Sequence, residues 1–229
     1  MRKLVIIPAY NEQGGIVKTV RDVKAHAPEF DFIVINDCST DRTLDICREH
    51  GFPVVNLPVN LGIGGGVQTG YVYAFRHGYD IAVQFDGDGQ HNARYLNEMA
   101  EKLMEEQLDM VIGSRYIKKE GFQSSGLRRL GIRYFTWLIK LITGQKITDP
   151  TSGMRMANRD VIELYAKNYP KDYPEPESVV TILKKGKKVE EVPVQMNARE
   201  EGVSSISPKK SVYYMIKVTL AILIAALRR

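Results

Sequence analysis

Residues 84–91 of this chain read Gln84-Phe85-Asp86-Gly87-Asp88-Gly89-Gln90-His91. The stretch follows a β-prone run, Ile81 to Val83, and precedes a helical pattern, so we expect it where a strand ends. Two carboxylates one residue apart suit Mg²⁺ or Mn²⁺ bound to a diphosphate, and the glycines allow a sharp turn close to a ligand. Taken alone, an Asp-Gly turn is more often only a solvated turn. The interpretation therefore depends on the neighbouring loops.

Length and composition indicate one sizeable domain with room for extensions, since the chain has 229 residues. Its 44% apolar and 26% charged residues exclude a disordered or fibrous protein. The net charge is +5, and basic residues outnumber acidic ones between Lys118 and Lys146, which favours an anionic partner. Cys38 and Cys47 lack zinc or CxxC spacing, so we expect reduced thiols in the cytosol. The start at Met1 shows no signal-peptide pattern.

The chain alternates between strand and helix patterns up to residue 112. Predicted strands are Lys3–Ile7, Asp31–Ile35, Pro53–Leu57, Ile81–Phe85 and Met110–Ile112; predicted helices are Asn11–Ala27, one starting at Ser39, one from Asn60 to His77, and Ala93–Glu106. This rhythm predicts an α/β fold with a Rossmann-like, mainly parallel sheet and helices on both faces. Later patterns predict helices at Gly126–Gly144 and Val161–Lys167, a short helix after Tyr173, and an edge strand within Lys188–Met196.

Ligands of such sheets bind beyond the carboxyl ends of the strands. Three predicted strands end in acid-bearing loops: residues 8–12, residues 36–41 and residues 86–88. Three such loops at one edge favour a nucleotide and metal site over a packing role. Asp37 has the alternative of capping the following helix, and Tyr10 that of a surface aromatic. His91 is open to phosphate binding or, as we favour, capping the next helix.

Six ordered motifs resemble those of family 2 glycosyltransferases, and within that family the dolichyl- and polyprenyl-phosphate sugar transferases. They are Pro8-Ala9-Tyr10-Asn11-Glu12, Asn36-Asp37-Cys38-Ser39-Thr40-Asp41, Asn60-Leu61-Gly62, Asp86-Gly87-Asp88-Gly89-Gln90-His91, Gly113-Ser114-Arg115-Tyr116 and Asp149-Pro150-Thr151-Ser152-Gly153. The resemblance extends to about Ser207. It implies a GT-A fold and an inverting transfer from a nucleotide sugar to a polyprenyl phosphate such as undecaprenyl phosphate, in the glycosylation of cell-wall or surface polysaccharide.

The resemblance also implies roles for single residues. Asp88 and Gln90 would ligate the metal on the diphosphate, and Arg115 would lie near the phosphates of donor or acceptor. Arg199 matches a late arginine on the donor diphosphate. The nucleoside would be held by Pro8, Tyr10, Glu12 and Asp37, with Asp86 near the ribose.

Three departures from the family pattern bear on the donor. Asn36 stands where an acid is common, Ile63 and Gly64 stand where a Lys or Arg often follows Asn-Leu-Gly, and residues 204–206 lack the lysine of mannose synthases. The last two departures remove positive charge near the diphosphate. They favour a UDP-hexose or UDP-N-acetylhexosamine over GDP-mannose.

The acceptor decides whether a base is needed. A lipid phosphate is already anionic and needs positioning rather than deprotonation. A hydroxyl of a lipid-linked glycan must lose a proton, and Asp149 is then the candidate base, unless it only forms the turn before Pro150.

Two segments suggest a membrane surface. Residues 126–144 form a basic amphipathic pattern, with an ordinary core-facing helix as the alternative. The apolar run at residues 218–227 is too short to span a bilayer, and it favours an interfacial helix, a helix bound to a small membrane partner protein, or a final core helix. We therefore expect a GT-A domain at residues 1–207, with a nucleotide-sugar half (1–113) and an acceptor half (114–207), and a membrane-associating helix at residues 208–229. The expected location is cytoplasmic, peripheral on the inner face of the cell membrane.

Other functions fit the sequence less well. A non-catalytic nucleotide-sugar-binding scaffold is disfavoured by the intact Asp88, Gln90 and Arg199. A sugar-1-phosphate nucleotidyltransferase would need an N-terminal glycine-rich signature with arginine, which the sequence lacks. No nucleic-acid-binding pattern is visible. The sequence is also compatible with a homo-oligomer.

Overall fold

The computed structural model describes residues 1–118, 126–197 and 208–227. Its strands are β1 Lys3–Ala9, β2 Asp31–Asn36, β3 Val54–Asn56, β4 Ile81–Gln84, β5 Met110–Ser114, β6 Arg155–Asn158 and β7 Val189–Pro193. Its α-helices are α1 Ile16–His26, α2 Thr43–Glu49, α3 Gly62–Arg76, α4 Leu96–Glu105, α5 Gly126–Thr143, α6 Arg159–Lys167, α7 Pro174–Lys184 and α8 Pro208–Leu227. A 3-10 turn, Ala93–Tyr95, precedes α4.

The strands form one sheet in the order β3-β2-β1-β4-β6-β5-β7. β1 runs parallel to β2 and β4, β2 to β3, and β5 to β7. Only β6 runs antiparallel to its neighbours among the described strands. Two buried clusters line the two faces of the sheet. The α/β class, the mainly parallel sheet and the edge position of β7 are therefore confirmed.

β6 is the strand that sequence patterns did not predict. It reads Arg155-Met156-Ala157-Asn158, which has no β-branched or aromatic residue and so carries little strand signal. It is a strand because it lies between β4 and β5 and hydrogen-bonds to both. Its insertion also means that the two predicted halves of the chain share one sheet.

The two helices α1 and α2 begin four or five residues later than predicted, because the residues before them are needed as loops. Asn11 has a left-handed backbone (φ 57°), and the carbonyl of Glu12 accepts from the N–H groups of Gly15 and Ile16 in a turn ahead of α1. α2 begins at Thr43 rather than Ser39, with the Asp41 carboxylate accepting from the Thr43 N–H at 2.8 Å.

α8 packs beside α7 and α5. Tyr214 makes edge-to-face contacts with Phe135 and Tyr173 at ring-centroid distances of 5.8 and 4.7 Å. Val218 and Ile222 are buried. One side of α8 therefore faces the core, as expected for a final core helix. The opposite side exposes apolar residues.

Candidate active site

The loops after β1 and β2 are tied together by hydrogen bonds. The Asn11 side-chain oxygen accepts from the Thr40 N–H at 2.8 Å, and the Asn11 N–H donates to the Ser39 hydroxyl at 3.0 Å. The Asp37 N–H donates to the Ala9 carbonyl at 2.9 Å. The two loops thus form one rigid unit at the carboxyl edge of the sheet.

Asp37 connects this unit to the start of α3. It is 4% exposed, and its Oδ1 accepts from the Leu61 N–H at 2.7 Å. Its carbonyl accepts from the Asn60 side chain at 3.1 Å. Because the Asp37 carboxylate accepts from Leu61 and not from the start of α2, its alternative role as the cap of that helix is wrong. Asp37 holds three loops together.

The other nucleoside candidates lie at the same edge. Pro8 is buried, and its carbonyl accepts from the Gly87 N–H at 3.3 Å. Tyr10 is 48% exposed beside it. Glu12 is partly buried, and its N–H donates to the Thr43 hydroxyl at 2.9 Å. An exposed aromatic next to fixed acids suits a stacked base, and the nucleoside role of these residues stays a prediction.

The acidic turn is supported from behind by His91. The Asp86 N–H donates to His91 Nδ1 at 3.0 Å, and His91 Nε2 lies 3.7 Å from Asp86 Oδ2. Asp86 Oδ1 accepts from the Gln84 side chain at 3.1 Å. The expected capping role of His91 is wrong, because Asn92 caps the next turn by accepting from the Arg94 N–H. His91 is buried and shapes the turn instead.

Asp88 and Gln90 present the predicted metal-binding oxygens. Asp88 Oδ1 accepts from the Gln90 N–H at 3.0 Å. The Gln90 NH₂ group donates to the Asn197 carbonyl at 3.4 Å, which leaves the amide oxygen on the other branch as a ligand atom. The described residues include no cluster of three His, Cys, Asp or Glu side chains suited to a metal. Two protein oxygens still fit Mg²⁺ or Mn²⁺ that arrives with a diphosphate, since such ions keep phosphate and water ligands. Arg199 lies outside the described residues.

Two glycines allow close approaches around this edge. A Cβ on Gly153 would lie 2.5 Å from Asp86 Oδ2, so the loop of residues 150–153 closes directly on Asp86. A Cβ on Gly64 would lie 2.2 Å from the carbonyls of Pro170 and Lys171. No side chain fits at Gly64, which gives a packing reason for one of the two non-basic residues after Asn-Leu-Gly; the other, Ile63, is 43% exposed.

Arg115 and Asp149 form a buried bidentate ion pair. Arg115 Nε donates to Asp149 Oδ2 at 2.7 Å, and Nη2 donates to Oδ1 at 2.8 Å. The Thr151 hydroxyl also donates to Asp149 Oδ1, at 3.2 Å. Burial lowers the pKa of Arg115. The hydrogen bonds and charge of Asp149 raise that pKa by a larger amount, so its net value is above the usual one. Asp149 is 0% exposed. This is the environment of a residue that fixes Arg115, and it offers no open oxygen to an acceptor hydroxyl.

Arg155 is a site residue that sequence reasoning missed. It is 1% exposed and donates to the carbonyls of Ser152 and Pro150, both at 2.7 Å, and to the Ser178 hydroxyl at 2.9 Å. It therefore holds the loop that carries Asp149. The only available signal was a lone arginine between two methionines.

Glu175 lies in the first turn of α7, close enough to Asp86 for the charge of that carboxylate to act on it. Burial, and to a smaller extent the charge of Asp86, raise the pKa of Glu175. The Arg155 charge and a hydrogen bond from Gln84 lower it, and the net pKa is about 7. Gln84 thus links the carboxylates of Asp86 and Glu175. A carboxyl with a pKa near neutrality beside a ligand edge is typical of functional sites.

The described candidates therefore meet at the carboxyl edge of the sheet, as the loop positions predicted. Hydrogen bonds join the loops at residues 8–12, 36–41 and 86–90. Arg115 is bonded to Asp149, and the loop that follows Asp149 closes on Asp86 at Gly153.

Comparison with known sequences gives a matching family model and two similar proteins. The family model described as Glycosyl transferase family 2 matches residues 4–165. The undecaprenyl-phosphate mannosyltransferase of Micrococcus luteus is 28% identical over 219 residues, covering 90% of this chain and 88% of that protein. The UDP-N-acetylglucosamine–dolichyl-phosphate N-acetylglucosaminyltransferase of Methanococcus voltae is 28% identical over 214 residues, covering 83% and 84%.

A solved structure shares the fold. Glucosyl-3-phosphoglycerate synthase from Mycobacterium tuberculosis, in complex with Mn²⁺, UDP and phosphoglyceric acid, has a TM-score of 0.76 at 18% identity. The match covers 100% of this chain and 79% of that one. The expected GT-A fold is confirmed.

Proposed function

The chain belongs to glycosyl transferase family 2, and we propose that it transfers a sugar from a UDP-hexose or UDP-N-acetylhexosamine to polyprenyl phosphate. The resemblance of its motifs to the polyprenyl-phosphate branch agrees with the two named relatives, which act on undecaprenyl and dolichyl phosphate. The product would serve the glycosylation of cell-wall or surface polysaccharide.

The observation that carries the proposal is the Arg115–Asp149 pair. Asp149, the expected base for a hydroxyl acceptor, is fully buried and bonded through both oxygens. What this side of the site offers is a guanidinium held in one plane, which suits a phosphate oxygen. An anionic acceptor needs no base, so a fixed cation is sufficient to place it.

On the donor side, the residues present fit a metal-bound diphosphate. Asp88 and Gln90 would hold Mg²⁺ or Mn²⁺, which would neutralise charge on the departing nucleotide. Asp37 fixes the loops that would enclose the nucleoside. Gln84 and the 150–153 loop fix the orientation of the Asp86 carboxylate. Support for UDP over GDP comes from the lack of positive charge at Ile63 and Gly64, and at Gly64 packing leaves no room for a basic side chain.

The test is transfer of radiolabelled sugar from a panel of UDP- and GDP-sugars to short polyprenyl phosphate, in membranes with Mn²⁺. We expect a labelled lipid product from a UDP-sugar. Donor binding without any labelled lipid phosphate would overturn the proposed acceptor.

A second candidate is transfer to a hydroxyl of a lipid-linked glycan, which the properties of Glu175 favour. Glu175 keeps a partly exposed side chain and has a pKa raised to about 7, so it suits a general base better than Asp149, which is 0% exposed and bonded through both oxygens. A labelled glycan in the same panel, together with no labelled polyprenyl phosphate, would select this function.

We propose further that the protein binds the inner face of the cell membrane through a surface named here the α5–α8 ridge. The ridge consists of the exposed apolar side chains Leu130, Trp137 and Leu141 of α5 and Ile216, Leu220 and Ile224 of α8. The two helices touch where the Thr219 and Tyr134 hydroxyls lie 3.3 Å apart. Exposed Arg129, Arg133 and Lys140 flank the ridge and favour anionic lipid. Within the described ranges, none of the helices has the length and apolar content needed to cross a bilayer.

Replacing both Trp137 and Leu141 by Ser is expected to weaken binding to phosphatidylglycerol vesicles by about tenfold or more, because each apolar side chain contributes about 1.5–3 kcal/mol when buried. Co-sedimentation measures the binding. Met104→Ser on α4, a 39% exposed apolar residue of another helix, is the control and should change nothing. Equal binding by the double variant would exclude the ridge as the membrane surface.

A further inference from the structure

Glu191 lies on β7, beneath the residues that hold Arg115. Its Oε2 accepts from the Thr148 N–H at 2.7 Å. Its Oε1 accepts from the Asp149 N–H at 2.9 Å and from the Thr148 hydroxyl at 3.0 Å. Three donors thus converge on one partly buried carboxylate, and two of them belong to the backbone that carries Asp149.

The same carboxylate sets the direction of a hydrogen-bond chain to β5. Because the Thr148 hydroxyl donates to Glu191, it must accept from the Ser114 hydroxyl, which lies 2.7 Å away. The Ser114 oxygen in turn accepts from the Tyr116 N–H at 3.3 Å. Each hydroxyl donates once and accepts once, so the chain runs in one direction, from Tyr116 to Glu191.

Both routes end on Arg115. The first runs from Glu191 through the Asp149 backbone to the Asp149 carboxylate, which binds the Arg115 guanidinium. The second runs through Thr148 to Ser114, the residue that precedes Arg115 on the chain. Arg115 is therefore held from its side chain and from its backbone, and Glu191 is the point where the two supports meet.

We infer that Glu191 is a positioning residue that sets the orientation of Arg115 toward the phosphate of the acceptor. It does not touch the substrate itself. Burial and the charge of Asp149 raise the pKa of Glu191, and the hydrogen bonds from Thr148 and Asp149 partly oppose that rise by favouring the ionised form that accepts all three donors. This inference rests on the proposed function, in which Arg115 faces an anionic acceptor.

Glu191→Gln tests the inference with almost no change in shape. Each oxygen of Glu191 accepts from one backbone N–H, so the NH₂ group of a glutamine would face a backbone N–H in either orientation of its amide. Two donors cannot bond to each other, and one of the two backbone hydrogen bonds is therefore lost. We expect the KM for short polyprenyl phosphate to rise about tenfold, the loss typical of one hydrogen bond to a charged group. The affinity for UDP and the KM for the donor should stay at wild-type values. Glu190→Gln is the matched control, because Glu190 is the exposed neighbour on the same strand, and it should change neither.

A double-mutant cycle separates positioning from a general structural role. If Glu191 acts through Arg115, Glu191→Gln should add little to the acceptor KM of an Arg115→Lys variant. Additive effects, or an unchanged acceptor KM in Glu191→Gln alone, would overturn the inference. Thr148→Val, which breaks only the hydroxyl chain, should raise the same KM by a smaller factor, and it replaces Glu191→Gln if that variant does not fold. Absence of wild-type transfer to polyprenyl phosphate would overturn the proposed function instead, and the cycle would then be run with the glycan acceptor.

Discussion

Replacing Asp88 by Ala is expected to lower sugar transfer by roughly 10³-fold, the scale seen when a group that stabilises transition-state charge is removed. Asp88 is the carboxylate of the predicted metal pair, and Gln90, the other member, is neutral. Without Asp88 the diphosphate loses its protein-held cation, so the nucleotide becomes a poorer leaving group. The measurement is radiolabel transfer at saturating donor, with Mn²⁺ varied over a wide concentration range.

Two further measurements separate this effect from unfolding. Asp45→Ala, at an exposed acid on α2, should retain full activity. Calorimetry should show that Mn²⁺ tightens UDP binding to the wild type and not to Asp88→Ala. An Asp88→Ala enzyme that still responds to Mn²⁺ would show that the metal is held elsewhere.

Replacing Arg115 by Ala is expected to abolish measurable transfer and to lower the free energy of unfolding by about 3–5 kcal/mol, because it leaves the buried Asp149 charge without its partner. The pair is buried almost completely: the side chains are 14% and 0% exposed. Denaturant unfolding measures the stability. Removing both side chains, in Arg115→Ala with Asp149→Ala, should cost less than the sum of the two single changes, since no unpaired charge remains.

An exposed ion pair provides the comparison for that stability effect. Arg42 and Glu49 lie 2.8 Å apart with side chains 66% and 58% exposed. Arg42→Ala should lower the unfolding free energy by no more than about 1 kcal/mol, because solvent screens such pairs. If Arg115→Ala were equally mild, Asp149 would have to find another donor or take up a proton.

Most of the sheet and the candidate edge could be predicted, because local signals were strong there. The runs that became β1, β2 and β4 are rich in apolar and β-branched residues, and each leads into a loop of acids, Asn and Gly. Parallel strands bring such loops to one edge whatever the details of packing. Hence Asp37, Asp86 and Asp88 could be placed at one edge of the sheet without knowing a single contact.

What the sequence did not reveal depends on contacts between distant segments. β6 has almost no strand propensity and forms because β4 and β5 leave a gap that it fills. Arg155 becomes a site residue only through carbonyls that the fold brings to it. Glu175 owes its raised pKa to burial, and Glu191 owes its role to Thr148 and Asp149, more than 40 residues earlier in the chain. Such effects leave no pattern in the local sequence.

The antiparallel strand β6 also has a consequence for the order in which the chain folds. On the ribosome, β4 and β5 emerge without the strand that joins them, so the central part of the sheet must wait for Arg155–Asn158 to be synthesised. Until then both strands expose unpaired backbone edges of the kind that promote aggregation. We therefore expect the sheet to close late and slowly, as contacts distant in sequence require. Fragments ending before residue 155 should need a chaperone to stay soluble.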